Sequence, residues 1–132
     1  MSFLVDTNIA SELSRRRPNA GVLRWLGTVE QLTVSAMTID ELCFGVSRKP
    51  TAELLQWLDQ FQESHLILPI TADIAQRAGQ VRGDFLRRGI TRSQADMLIA
   101  ATAQAHNLTL VTRNTRDFEG CGIALLNPFN GA

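Results

Sequence analysis

An α/β fold, with a central parallel sheet of about four or five strands flanked by helices, is what this sequence predicts. Three observations carry that expectation. Short apolar runs such as "FLV" and "LTLV" lack the strict alternation of a half-exposed sheet, and single or paired helical segments separate them. A length of 132 residues at 45% hydrophobic also suits one domain with a real core, expected to span 1–132. There is no repeat, low-complexity tract or linker.

Residues 3–5 form the first strand, and "IASELSRRR" (9–17) follows with apolar positions at helical spacing, ending before Pro18. "AGVLRWLGTV" (20–29) reads as a second amphipathic helix. "LTVSA" (32–36) is the second strand, and "TIDELCFGV" (38–46) opens a helix on the Thr38-x-x-Glu41 spacing of a capping box. "TAELLQWLDQFQES" (51–64) places Leu54, Leu55, Leu58 and Phe61 on one face, and "HLILP" (65–69) is a third strand closed by Pro69. A helix runs from Thr71 towards Arg88, where Gly89 interrupts it. "SQADMLIAATAQAH" (93–106) is Ala-rich and nearly uncharged, which predicts a helix buried on most sides. "LTLVT" (108–112) is the fourth strand, "RNTRDFEG" (113–120) a polar loop or short helix, and "IALLN" (123–127) the fifth strand.

Composition excludes several classes of protein. No window approaches the ~20 apolar residues of a membrane span, and the chain reaches Asp6 with no signal-peptide pattern, so a cytoplasmic, membrane-free protein is expected. Cys43 and Cys121 lie far apart with no CxxC, as buried thiols would. Zero net charge removes global attraction to a polyanion. Twelve of the thirteen basic residues are nevertheless arginine, the side chain best suited to forked recognition of phosphate.

The acids sort by position. In an open parallel sheet, ligands bind beyond the carboxyl ends of the strands. Asp6 follows the first strand, Glu41 opens the helix after the second, Asp96 sits in the first turn of the Ala-rich helix, and Asp117 follows the fourth strand. Each has an ordinary reading: Asp6 as strand end, Glu41 and Asp96 as capping-box acids after Thr38 and Ser93, Asp117 as a surface turn. A cap contributes roughly 1 kcal/mol, whereas two carboxylates about 4 Å apart repel by around 4 kcal/mol at an effective dielectric of about 20. If the four converge, capping cannot hold them, and an all-oxygen set suits Mg²⁺ or Mn²⁺.

Other chemistries lack a foothold. His65, His106 and the two cysteines have no zinc-ligand spacing, and neither a GxxxxGK[ST] loop nor a GxSxG elbow occurs. Metal-activated water is the economical nucleophile.

The segments "FLVDTNIASEL", "TIDELCFGV" and "DMLIAATAQAHNLTLVTRNTRDFEG", in that order and spacing, resemble the PIN-domain ribonucleases, and within them the VapC toxins of type II toxin–antitoxin pairs. The resemblance covers nearly the whole chain. It implies that Asp6, Glu41 and Asp96 match three acidic metal ligands and Asp117 a more variable fourth, while Asp40 does not match. Thr7 and Asn8 match the segment after the first ligand, and Thr112 and Asn114 match polar residues bordering the site. Asn114 stands where some relatives place an acid, which leaves the fourth ligand open between positions. The resemblance further implies Mg²⁺- or Mn²⁺-dependent RNA cleavage, homodimers, and a cognate VapB-type antitoxin through which operator DNA is bound. Asp96 or Asp117 would take a proton from water. Arg82, Arg87, Arg88, Arg92 and Arg113 are the arginines expected to hold RNA.

Two rivals belong to other classes. A receiver-type signalling domain needs an acceptor Asp after its third strand and a Lys after its fifth, but the third strand here ends in "ILPIT" and Lys49 is the sole lysine. A catalytically silent PIN-like interaction protein would keep the fold without needing all four acids.

Overall fold

The computed structural model describes residues 2–131. Strand β1 (Phe3–Val5) leads into helix α1 (Thr7–Glu12) and α2 (Ala20–Leu26). Strand β2 (Thr33–Ser35) is followed by α3 (Ala36–Arg48) and α4 (Ala52–Ser64), and β3 (Leu66–Leu68) by α5 (Ala72–Arg87) and α6 (Gln94–Ala105). Strand β4 (Thr109–Val111), a 3₁₀ turn (Thr115–Phe118), β5 (Leu125–Leu126) and a second 3₁₀ turn (Pro128–Gly131) complete the order.

All strand pairs are parallel. The order is β1-β4-β5 in one ladder and β2-β3 in another, with β2 packed beside β1, so the expected five parallel strands are present but split. Leu4 pairs with Leu110 and Val5 with Val111, and each pair faces a different layer. Leu4 and Leu110 enter a core with Ile74, Ala78 and Phe85 of α5 and Met97 and Ile99 of α6. Val5 and Val111 enter a second core with Ile9, Val22, Leu42, Leu58 and Phe61. Helices therefore cover both faces of the sheet, which is why its strands read as apolar runs. Burying each such side chain stabilises the fold by roughly 1.5–3 kcal/mol.

Helix α6 meets its expectation: Met97, Ile99, Ala100, Ala101, Thr102 and Ala103 are all buried. The Thr102 hydroxyl donates to the Leu98 carbonyl at 2.8 Å, which satisfies it inside the core. Ser93 caps α6 as its spacing to Asp96 suggests, and Thr71 caps α5. Gly89, at φ 81°, occupies the left-handed turn beyond α5. Among the described residues no helix is long and apolar enough to cross a membrane.

Three expectations are corrected. The helix read over 9–17 ends at Glu12, because the buried Glu12 carboxylate accepts from the Asn19 N–H (2.7 Å) and from Arg15 (3.2 Å). That folds the arginine run back so that Asn19 can cap α2. Helix α3 starts at Ala36 and not at Thr38, since the Ser35 hydroxyl caps it by accepting from Met37 N–H at 3.0 Å. Thr38 is thus a fully buried helical residue, and Glu41 is released from any capping box. Leu55 is 49% exposed while Leu58 and Phe61 turn inward, which narrows the buried stripe of α4.

Candidate active site

Parallel strands place their carboxyl ends on one edge, and the four acids lie within electrostatic reach of one another there. Asp6 caps α1 in extended conformation (φ −72°, ψ 161°) directly after β1, where its own N–H donates to Val111 O at 2.8 Å. Its side chain is 5% exposed. Oδ1 accepts from Thr7 N–H (2.7 Å), and Oδ2 accepts from the Thr112 hydroxyl (2.8 Å) and Asn8 Nδ2 (3.3 Å). Thr112, fully buried after β4, also accepts from Asn114 N–H (3.0 Å), and Asn8 Oδ1 accepts from Arg113 N–H (3.2 Å). The expected supporting residues Thr7, Asn8, Thr112 and Asn114 all join this network, Asn114 through its backbone.

Glu41, in the second turn of α3, reaches back across the edge. Its Oε1 accepts from the Thr7 hydroxyl at 2.6 Å, and Thr38 Oγ1 lies 3.1 Å from that hydroxyl. Thr7 has one proton and a carboxylate can only accept, so Thr38 is the donor in the second contact. Thr38 was missed by sequence reasoning, which spent it on a cap. Its burial inside α3, facing Thr7, is a tertiary relationship that local spacing does not reveal.

Asp96 lies in the first turn of α6, its N–H donating to Ser93 Oγ at 3.0 Å. Asp117 is exposed on the 3₁₀ turn. The electrostatics link all four. Burial pushes the Asp6 carboxyl above the ordinary range, against the pull of the Thr112 and Thr7 hydrogen bonds, and the charges of Glu41 and Asp117 push it further. Asp96 is pushed up to about 6, first by burial, then by Asp6, with Asp117 and Glu41 adding to it against the Ser93 hydrogen bond. Burial is the leading cause for both groups, and the neighbouring carboxylates add to it.

The two ion pairs among the described residues join Arg15 to Glu12 and Arg87 to Asp84, and neither touches these acids. Nor, among the described residues, do three of the acids close to ligating distance of one point. The carboxylates act on one another electrostatically without closing onto one point among the described residues. Asp6 is buried with both oxygens hydrogen-bonded, Glu41 and Asp96 are half-buried, and Asp117 is exposed. The donors are hard oxygens, and a divalent cation would relieve the raised carboxyls of Asp6 and Asp96, so the set fits Mg²⁺ or Mn²⁺.

The edge opens into a groove walled by Thr7, Ser11, Glu41, Leu42, Leu54 and Trp57. A second cleft, lined by Phe3, Trp25, Thr28 and Leu32, lies at the amino ends of β1 and β2, away from the acids. The arginines named from the sequence are placed unevenly. Arg82 lines a hollow between α5 and α6, Arg87 pairs with Asp84, and Arg88 stacks on Phe85 at 4.6 Å. Arg113 stacks on Phe129 at 4.8 Å, and Arg92 turns onto the backbone of residues 117 and 119.

Comparison with known proteins follows the same lines. A family model described as "PIN domain" matches residues 3–121. The chain is 31% identical to "VapC ribonuclease Y4jK" of Sinorhizobium fredii, covering 98% of this chain and 99% of that protein. It is 34% identical to "Toxin FitB" of Neisseria gonorrhoeae, covering 97% and 99%. It superposes with a TM-score of 0.81, at 28% identity and covering 96% and 98%, on a chain of VapBC2 from Rickettsia felis, a crystal structure bound to a DNA fragment from their promoter.

Proposed function

The chain belongs to the PIN domain family, and we propose that it is a VapC-type toxin: an endoribonuclease that hydrolyses RNA phosphodiester bonds and is silenced by a cognate VapB-type antitoxin. The observation that carries this reading is the grouping of Asp6, Glu41, Asp96 and Asp117 on one edge, where Asp6 responds to the charges of Glu41 and Asp117, and Asp96 to those of Asp6, Asp117 and Glu41. A silent interaction protein has no use for four carboxylates that repel one another.

Asp6, Glu41, Asp96 and Asp117 are the residues that would hold Mg²⁺ or Mn²⁺. Bound there, the ion supplies the positive charge that polarises the scissile phosphate, activates water and stabilises the departing 3′ oxygen. The chain's own residues do the positioning. Thr112, Thr7 and Asn8 lock both oxygens of Asp6. Thr7, backed by Thr38, fixes one oxygen of Glu41 and leaves the other free to turn outward. Asp96 and Asp117 stand at the solvent side of the cluster, where either can take the proton of the attacking water.

The groove beside Glu41 suits an antitoxin segment with an apolar anchor against Leu54 and Trp57 and a cation against the carboxylates. Such a cation substitutes for the metal's charge and blocks the edge. Operator DNA is then a partner of the complex through the antitoxin, and the toxin is homodimeric within it.

Induced expression tests this reading in the cell. Growth arrest that Asp96→Asn abolishes, and that co-expression of the adjacent small open reading frame relieves, is expected. Arrest that persists undiminished in the folded variant would contradict it.

A further inference from the structure

Arg92 immediately precedes Ser93, the residue that caps α6 and thereby places Asp96. Its guanidinium reaches across to the next acidic turn. Nη1 donates to the carbonyl of Asp117, and Nη2 donates to the carbonyl of Glu119 at 2.8 Å. The Arg92 Cζ stands 4.3 Å from the ring centroid of Phe85, a side chain only 2% exposed. Gly120, at φ +82°, presses the same turn onto that ring, with 3.4 Å left between a Cβ placed there and Phe85 Cε1 and Cζ. The guanidinium is therefore seated on a ring fixed in the core while its fork grips two carbonyls at the C-terminal end of the 3₁₀ turn.

Asp117 needs such a grip more than the other acids do. Asp6 is buried in a hydrogen-bond network and Glu41 and Asp96 ride on helices of twelve or more residues, whereas Asp117 is exposed on a turn of four. Both Asp6 and Asp96 feel its charge. A planar fork suits two carbonyls at once, which the single ammonium of lysine does not reproduce.

We propose that Arg92 is a positioning residue of the acidic edge: by holding the carbonyls of Asp117 and Glu119 against Phe85, it keeps the Asp117 carboxylate beside Asp96 and Asp6, and it is not a contact for RNA. This rests on the metal-dependent nuclease reading above. It also replaces the expectation from the sequence that Arg92 faces the substrate backbone.

A double-mutant cycle tests it, with Arg92→Ala, Arg92→Lys, Asp117→Asn and the Arg92→Ala/Asp117→Asn pair. Manganese binding is read by paramagnetic resonance without RNA, cleavage by a manganese titration with KM for RNA at saturating metal, and the turn by amide hydrogen exchange over 115–121 in the metal-free protein. Arg92→Ala is expected to weaken manganese binding about tenfold, to speed exchange in the turn, and to leave KM for RNA unchanged. The pair should be no worse than Asp117→Asn alone, and Arg92→Lys should recover part of the loss. Should Arg92→Ala fail to fold, the lysine variant carries the comparison, with a smaller loss in the same direction. Losses that multiply in the pair, or a raised KM with manganese binding unchanged, would overturn the proposal. Wild-type protein that neither binds manganese nor cuts RNA would sink the nuclease reading instead. In that event unchanged exchange at 115–121 in Arg92→Ala would overturn the positioning role independently.

Discussion

The Thr112 hydroxyl donates to Asp6 Oδ2 at 2.8 Å, joining the ends of β1 and β4 across 106 positions of sequence. Both residues are buried, so this hydrogen bond does two things. It offsets part of the cost of keeping a carboxylate in the interior, and it fixes the direction in which the other lone pairs point.

Replacing Thr112 with Val keeps the shape and removes the donor. Catalytic efficiency is expected to fall about 10–100-fold, the range for residues that orient metal ligands. Thr112→Ser should retain most activity. Cleavage kinetics beside urea denaturation separate this from unfolding, and a Val variant as active as wild type would remove Thr112 from the site.

Thr7 plays the matching part for Glu41 at 2.6 Å. Thr7→Val leaves Glu41 free to swing. Activity should then fall at low manganese and recover as manganese is raised, because the metal can substitute for the lost orientation. A manganese titration of cleavage checks this; a loss equal at all concentrations would point to RNA binding instead.

The raised carboxyls of Asp6 and Asp96 each contribute to the pH dependence of the metal-free fold. A folded state whose carboxyl titrates above its unfolded value binds more protons, so stability falls as pH rises through that interval. For Asp96 the interval runs from 3.8 to about 6. Thermal melts in chelator should therefore give a lower Tm at pH 7 than at pH 4.5 from this group, and Asp96→Asn should flatten the difference. Manganese should raise Tm most at the higher pH, where the ligands are ionised. A variant with the wild-type pH profile would contradict the assignment.

Much of this was legible locally. The apolar runs at 3–5 and 109–111, the helix that follows Thr71 and the cap at Ser93 depend on neighbours in sequence, and the structure keeps them. The acids at strand and helix ends were legible for the same reason. What failed were features decided by partners in space. Thr38 and Glu41 have capping-box spacing, but Ser35, arriving straight from β2, takes the cap first. The arginine run of 15–17 looks helical until Glu12 binds Asn19. That Arg92 reaches the backbone of residues 117 and 119 is likewise invisible from its own neighbourhood in sequence. Composition carries no trace of such pairings, because each depends on where a distant segment lies.

The central claim is that buried Asp6 anchors a cation-dependent RNA-cleaving edge. The direct measurement is cleavage of RNA by purified protein with manganese and with chelator, comparing wild type with Asp6→Asn after circular dichroism has shown both folded. Wild type should cut only with the metal, and Asp6→Asn should fall to background under either condition. Asp6→Asn cutting as fast as wild type, or wild type cutting undiminished in chelator, would contradict the account.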